Sequence, residues 1–109
     1  MKSREYYIEC GSAYQQVKGY KITLPGYEQF CFFAHRYGKY WQISEAITGK
    51  RASDSGMDTM REAIENIRVK LEDIGREKVI STINDAIKLK QENEPVETYL
   101  KMAKYGNLI

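Results

Sequence analysis

The chain holds 109 residues, 42% of them hydrophobic, 29% charged and 12% aromatic, with two prolines. That is one domain's length with enough apolar side chain for a core, which excludes disordered, collagen-like and multidomain architectures. Seventeen basic against fifteen acidic residues leave +2, too small an excess for a general nucleic-acid coat or a polybasic membrane binder.

The two halves differ. Residues 1–54 carry eight basic and five acidic side chains, a charge of +3, whereas residues 55–109 carry nine and ten, a charge of −1. Eleven of the thirteen aromatics precede residue 42, and aromatic and β-branched residues favour strands. The later half, rich in Glu, Lys, Ile and Ala, favours helix. A single α+β domain over 1–109 follows, mainly sheet in 1–54 and mainly helical in 57–109. An antiparallel sheet of three to five strands is expected, with two to three helices packed on one of its faces.

No apolar stretch follows Lys2 and Arg4 as it would in a secretory signal, and no apolar run approaches the ~20 residues of a membrane span. A cytoplasmic protein is expected, with Cys10 and Cys31 as reduced thiols. In chain order, Tyr6-Tyr7-Ile8 is a candidate first strand. Tyr20, Ile22 and Leu24 then alternate with Lys21 and Thr23 until Pro25-Gly26 marks a turn. Phe30 to His35 and Tyr40 to Ser44 form two further strands around a Tyr37-Gly38 turn. Lys50-Arg51-Ala52, after Thr48-Gly49, is a candidate short final strand.

Thr59 followed by Glu62 fits a capping box that opens a helix. Met60, Ile64, Ile67, Leu71 and Ile74 then repeat at helical period, and Gly75 fits the C-cap. A second helix carries Val79, Ile80, Ile83, Ala86 and Ile87. Pro95 opens a short third one holding Val96, Tyr99, Leu100 and Ala103, which Gly106 ends. The expected core is Tyr20, Ile22, Leu24, Phe30, Phe32, Trp41, Ile43, Met60, Ile64, Ile67 and Leu71.

With Tyr37-Gly38 as the turn, Ala34 faces Trp41 and Phe32 faces Ile43. The opposite sheet face then holds Lys21, Thr23, Cys31, Phe33, His35, Tyr40, Gln42 and Ser44. Arg36 and Lys39 stand in one turn at its edge, Lys50 and Arg51 near another. Such a face serves as a protein interface with aromatic anchors, or stacks bases as single-strand binders do. A third arrangement has the N-terminal strand or the second helix cover it, since large open apolar patches are uncommon on monomers. The candidate partner face is Lys21, Phe33, His35, Arg36, Lys39, Tyr40, Gln42, Lys50 and Arg51.

Catalytic and metal chemistry find little support. Cys31 and His35, four residues apart on a strand, are separated by ~13 Å, beyond the reach of a thiol–imidazole pair. Three scattered Cys and His residues do not make a zinc site, and the glycines are spaced as turn and cap residues rather than as a phosphate loop. No cofactor, metal or small-molecule substrate is implied, and a non-enzymatic protein is expected.

One stretch carries a resemblance. Phe33-Ala34-His35-Arg36-Tyr37-Gly38-Lys39-Tyr40-Trp41-Gln42-Ile43-Ser44-Glu45, then Ile47-Thr48-Gly49, then Met57-Asp58-Thr59 and Glu62-Ala63-Ile64, resembles small strand–turn–strand–helix modules in accessory proteins of phages and conjugative elements. It covers about a third of the chain and transfers no catalytic residues. What it implies is a small binder or regulator of mobile-element origin. The leading expectation is therefore a non-enzymatic accessory protein that binds a protein partner or a second copy of itself. The runner-up is a single-stranded nucleic-acid binder using the basic, aromatic sheet face.

Overall fold

The computed structural model describes residues 2–10 and 13–93. The expected third helix, from Pro95 to Gly106, lies outside the described residues. Four strands come first: β1 (Arg4–Cys10), β2 (Ala13–Ile22), β3 (Phe32–Tyr37) and β4 (Tyr40–Glu45). Two helices follow, α1 (Met60–Ile74) and α2 (Arg76–Asn93). The strands pair antiparallel in the order β1-β2-β3-β4, so the chain is α+β with its sheet in the first half.

Turn chemistry sets the connections. Pro25 and Gly26 are the central residues of a turn closed by Tyr27 N–H donating to Leu24 O at 2.9 Å, with Gly26 at φ 89°. That is the type II pattern, in which the third residue needs positive φ. A second turn follows at once, Phe30 N–H donating to Tyr27 O, so β2 and β3 are joined by a loop rather than a tight hairpin. β3 and β4 are joined by Gly38 and Lys39, with Tyr37 opposite Tyr40 and Gly38 at φ 64°. The turn thus starts one residue later than the sequence suggested, because Gly38 accepts the positive φ at its first central position and Tyr37 does not. One turn residue moves an antiparallel register by two, so Ala34 meets Ile43 instead of Trp41. An even shift keeps every side chain on its expected face.

On one face, Ile22, Phe32, Ala34 and Ile43 share a buried cluster with Ala63, Ile67 and Leu71 of α1 and Val79 of α2. Thr59 caps α1, its Oγ1 accepting Glu62 N–H at 3.1 Å, and Gly75 ends it at φ 97°. Tyr20, Trp41, Met60 and Ile64, expected in the core, are half-buried. Trp41 lies towards the hairpin end, where its backbone N–H donates to Met57 O at 2.8 Å and Arg36 stacks on its ring. Ile74 stays 44% exposed at the last turn of α1.

The other face is closed as well. Segment 49–53 bonds the outer edge of β4, with Glu45 N–H donating to Lys50 O and Ala52 N–H to Ile43 O. The expected final strand is thus present as a short pairing, Ser44 opposite Arg51. The same segment reaches the outer edge of β1, where Glu9 N–H donates to Gly49 O at 2.9 Å. Gly49 is required there, since a Cβ would stand 3.0 Å from Glu9 N and 3.1 Å from Tyr7 O. Both sheet edges are stitched to one segment, which curls the meander and covers edges that would otherwise pair with other chains. Inside the curl Tyr6, Ile8, Phe33 and Ala46 form a second buried cluster. At its far side Glu9 holds Lys50 at 3.3 Å and the buried Lys90 of α2 at 3.9 Å, and Lys90 Nζ lies 3.7 Å from the Tyr14 ring centroid.

Candidate functional site

The nine candidate face residues separate into three groups. Phe33 and His35 are fully buried and Gln42 is 8% exposed, so the sheet face expected to present them is covered. The cover is β1, and the reason is Gly19 of β2, whose missing side chain lets Tyr6 and Phe33 meet above it. Lys21, opposite Phe33 in register, and Lys50, paired with Glu9, are exposed at the rim. Arg36, Lys39, Tyr40 and Arg51 are exposed and lie at or beside the β3–β4 hairpin.

His35 illustrates what burial does to the chemistry. Its Nδ1 lies 3.1 Å from Arg36 O, and a carbonyl only accepts, so Nδ1 carries the proton. In the neutral ring Nε2 then accepts from Ser44 Oγ at 2.8 Å. Burial pushes the His35 pKa down, against the smaller opposing effect of the Arg36 carbonyl. A hydroxyl and a base are in bonding distance, but Ser44 is 1% exposed and His35 is sealed, so the pair fixes the interior rather than meeting a substrate. Cys31, half-buried beside the second cluster, has its thiol pKa pushed up by burial, only partly offset by Lys21. Among the described residues no group of three or more His, Cys, Asp or Glu could hold a metal ion.

The exposed residues form a basic, aromatic tip. Tyr37 and Tyr40 are opposite each other and 50% and 37% exposed. Lys39 Nζ lies 5.2 Å from the Tyr40 ring centroid on this face, and Arg36 Cζ 4.9 Å from that of Trp41 on the other. Each cation rests on the negative face of a ring, which orders both partners at the surface. Two hollows flank the tip. Below Tyr37 and Tyr40 an open bowl of about 600 Å³ is lined by Cys10, Gln42, Arg51 and Ser55. Beside Arg36 and Trp41 a shallower groove is lined by Lys18 and Tyr20.

Tyr40, Gln42 and Arg51 line the same bowl, whereas Phe33 and His35 do not join them. Tyr37, Cys10 and Ser55 were missed. Tyr37 was legible from the Gly38 turn, since a positive-φ first turn position makes Tyr37 the cross-strand partner of Tyr40. No local signal brings Cys10 and Ser55 to the bowl, because both arrive through the closure of β1 on segment 49–53. Among the described residues no helix is long and apolar enough to cross a membrane. Compared with family models, with curated proteins and with solved structures, the chain matches none.

Proposed function

We propose that the chain is a non-enzymatic binding module, a cytoplasmic accessory or regulatory protein whose contact surface is the β3–β4 hairpin and whose partner is a protein. The observation that carries this reading is the pair of exposed tyrosines, Tyr37 and Tyr40, set among Arg36, Lys39 and Arg51. Tyrosine and arginine are the side chains that anchor protein interfaces, and a two-sided hairpin tip offers them without rearrangement. In this reading both helices cover the same sheet face and serve to hold the hairpin rigid. A mobile-element setting is what the strand–turn–strand–helix pattern suggests.

Single-stranded nucleic acid is the second reading, favoured by the basic charges around the rings. It is ranked lower because Phe33, the stacking platform it relied on, is engaged by Tyr6, and Arg36 and Lys39 already occupy ring faces at the tip. The test places a photo-crosslinker at Tyr37, with Lys88 on exposed α2 as the control position. Host extracts should give one protein adduct from position 37, none from 88, and loss of the adduct with Lys39→Glu. Nucleic-acid adducts at position 37 would support the second reading, a self-adduct would make the partner a second copy, and equal labelling from both positions would refute the hairpin as the site.

A further inference from the structure

From Gln29 to Ser44 the chain contains no acidic residue, and this stretch includes the β3–β4 turn with Tyr37 and Tyr40. Side chains alternate along a strand, so Tyr40, Gln42 and Ser44 of β4 share one sheet face. Arg51, paired opposite Ser44, lies on that same face and lines the bowl of about 600 Å³ with Tyr37, Tyr40, Gln42 and Ser55. Lys39 stands at the rim, over the Tyr40 ring. The two carboxylates nearest in the chain and in the wall are engaged elsewhere. Glu9, in the bowl wall, holds Lys50 at 3.3 Å and Lys90 at 3.9 Å. Asp54 is held by Lys70 at 3.3 Å and by Asn66 at 3.0 Å. Among the described residues no carboxylate lies within ion-pair distance of Arg51 or Lys39.

We propose that the bowl receives an acidic segment of the protein partner, one carboxylate at Arg51 and a neighbouring one at Lys39. The inference rests on the hairpin being the contact surface and names the chemistry that contacts it. An exposed guanidinium in a concave wall is the counterpart of a carboxylate, since it donates to both oxygens at once. Gln42 and Ser55 add side chains that donate hydrogen bonds beside it. The rings of Tyr37 and Tyr40 offer apolar faces to the methylene stem of a glutamate. Complementary charge also sets the approach, because a basic patch steers an acidic surface towards itself. A nucleic-acid strand fits less well. Lys50 is tied to Glu9 and Arg36 stands on the opposite face over Trp41. A phosphate backbone crossing the bowl thus meets Arg51 and Lys39, whereas single-strand binders track the backbone with a whole charged groove.

The test titrates the isotope-labelled full chain with blocked hexaglutamate, hexaglutamine and hexathymidylate and follows the backbone amide shifts. Hexaglutamate should give saturable shifts in residues 37–42 and 51–56. Hexaglutamine should bind at least about tenfold more weakly, the loss of a charge-assisted contact. Arg51→Gln should weaken hexaglutamate by about tenfold as well. Lys88→Gln, which removes a charge from exposed α2, should change it by less than about twofold. Ser55→Glu, which sets a carboxylate in the bowl, should weaken it in the same way as Arg51→Gln and serves if that variant misfolds by circular dichroism. Equal affinity for hexaglutamate and hexaglutamine, equal losses with Arg51→Gln and Lys88→Gln, tighter binding of hexathymidylate, or no saturable shift would each overturn the proposal. The hairpin reading is decided separately by adducts from position 37, because a photo-crosslinker does not depend on the partner's charge. A protein adduct there, together with no preference for hexaglutamate, would leave the hairpin as the contact surface and reject the acidic partner.

Discussion

Tyr6 lies face to face on Phe33 with ring centroids 4.1 Å apart and planes within 3° of parallel. The two rings belong to β1 and β3, and β2 between them contributes Gly19 at that point. A Cβ at Gly19 would stand 2.7 Å from a carbon of each ring. Gly19→Ala should therefore destabilise by about 1–3 kcal/mol, as overpacking does, even though alanine suits a strand better than glycine. Denaturant unfolding measures it, and an unchanged midpoint would mean that the rings do not meet over Gly19.

The Tyr6 hydroxyl is buried without a hydrogen-bond partner among the described residues, and burial pushes its pKa up so that it stays protonated. Tyr6→Phe keeps the stacked ring and removes an unpaired polar group, whose burial is unfavourable by about 1–3 kcal/mol. The variant should match or exceed the parent in thermal stability. A clear loss would show that the hydroxyl is bonded.

Phe32 and Trp41 are both core candidates by pattern, and the structure ranks them. Phe32 is 1% exposed in the main cluster, so Phe32→Ala should destabilise by about 3–5 kcal/mol. Trp41 is half-buried under Arg36, and Trp41→Ala should show a smaller loss, under ~3 kcal/mol. Equal losses by denaturant unfolding would place Trp41 inside the main buried cluster.

His35 ties stability to pH. Its folded pKa is pushed below the ordinary 6.5, so the unfolded chain binds the proton first. Stability should fall as pH drops below about 6.5 and stop falling below the folded-state value, with a slope of at most ~1.4 kcal/mol per pH unit. His35→Gln should flatten that part of the curve between neutral pH and the carboxylate range. An identical slope in the variant would assign the dependence to other groups.

Much of the frame was legible in the residues. Thr59, Glu62 and Gly75 mark both ends of α1 by local capping chemistry, and Pro25-Gly26 marks its turn by the φ each residue prefers. Legibility failed where distant segments decide. Gln15-Gln16-Val17-Lys18 has no clean alternation, because β2 there lies between β1 and solvent, so the strand read as starting at Tyr20 when it starts at Ala13. The fate of Phe33 and His35 depended on whether β1 folds over them, which the Glu9–Gly49 hydrogen bond settles forty residues away in sequence. Gly19 inside a strand was the available signal, since glycine there often marks the close approach of other groups. The same closure separates the candidate face into a buried interior and an exposed tip.

The sharpest test of the hairpin as contact surface compares Phe33→Ala with Tyr40→Ala. Each variant is scored for melting temperature and for partner capture from a crosslinker at Tyr37. Phe33→Ala should lower the melting temperature by more than about 10 °C, as loss of a buried aromatic does in a domain of this size, and leave capture by the folded fraction intact. Tyr40→Ala should leave the melting temperature nearly unchanged and abolish capture. The reverse pattern, with Phe33 needed for capture and dispensable for stability, would contradict both the buried interior and the hairpin interface.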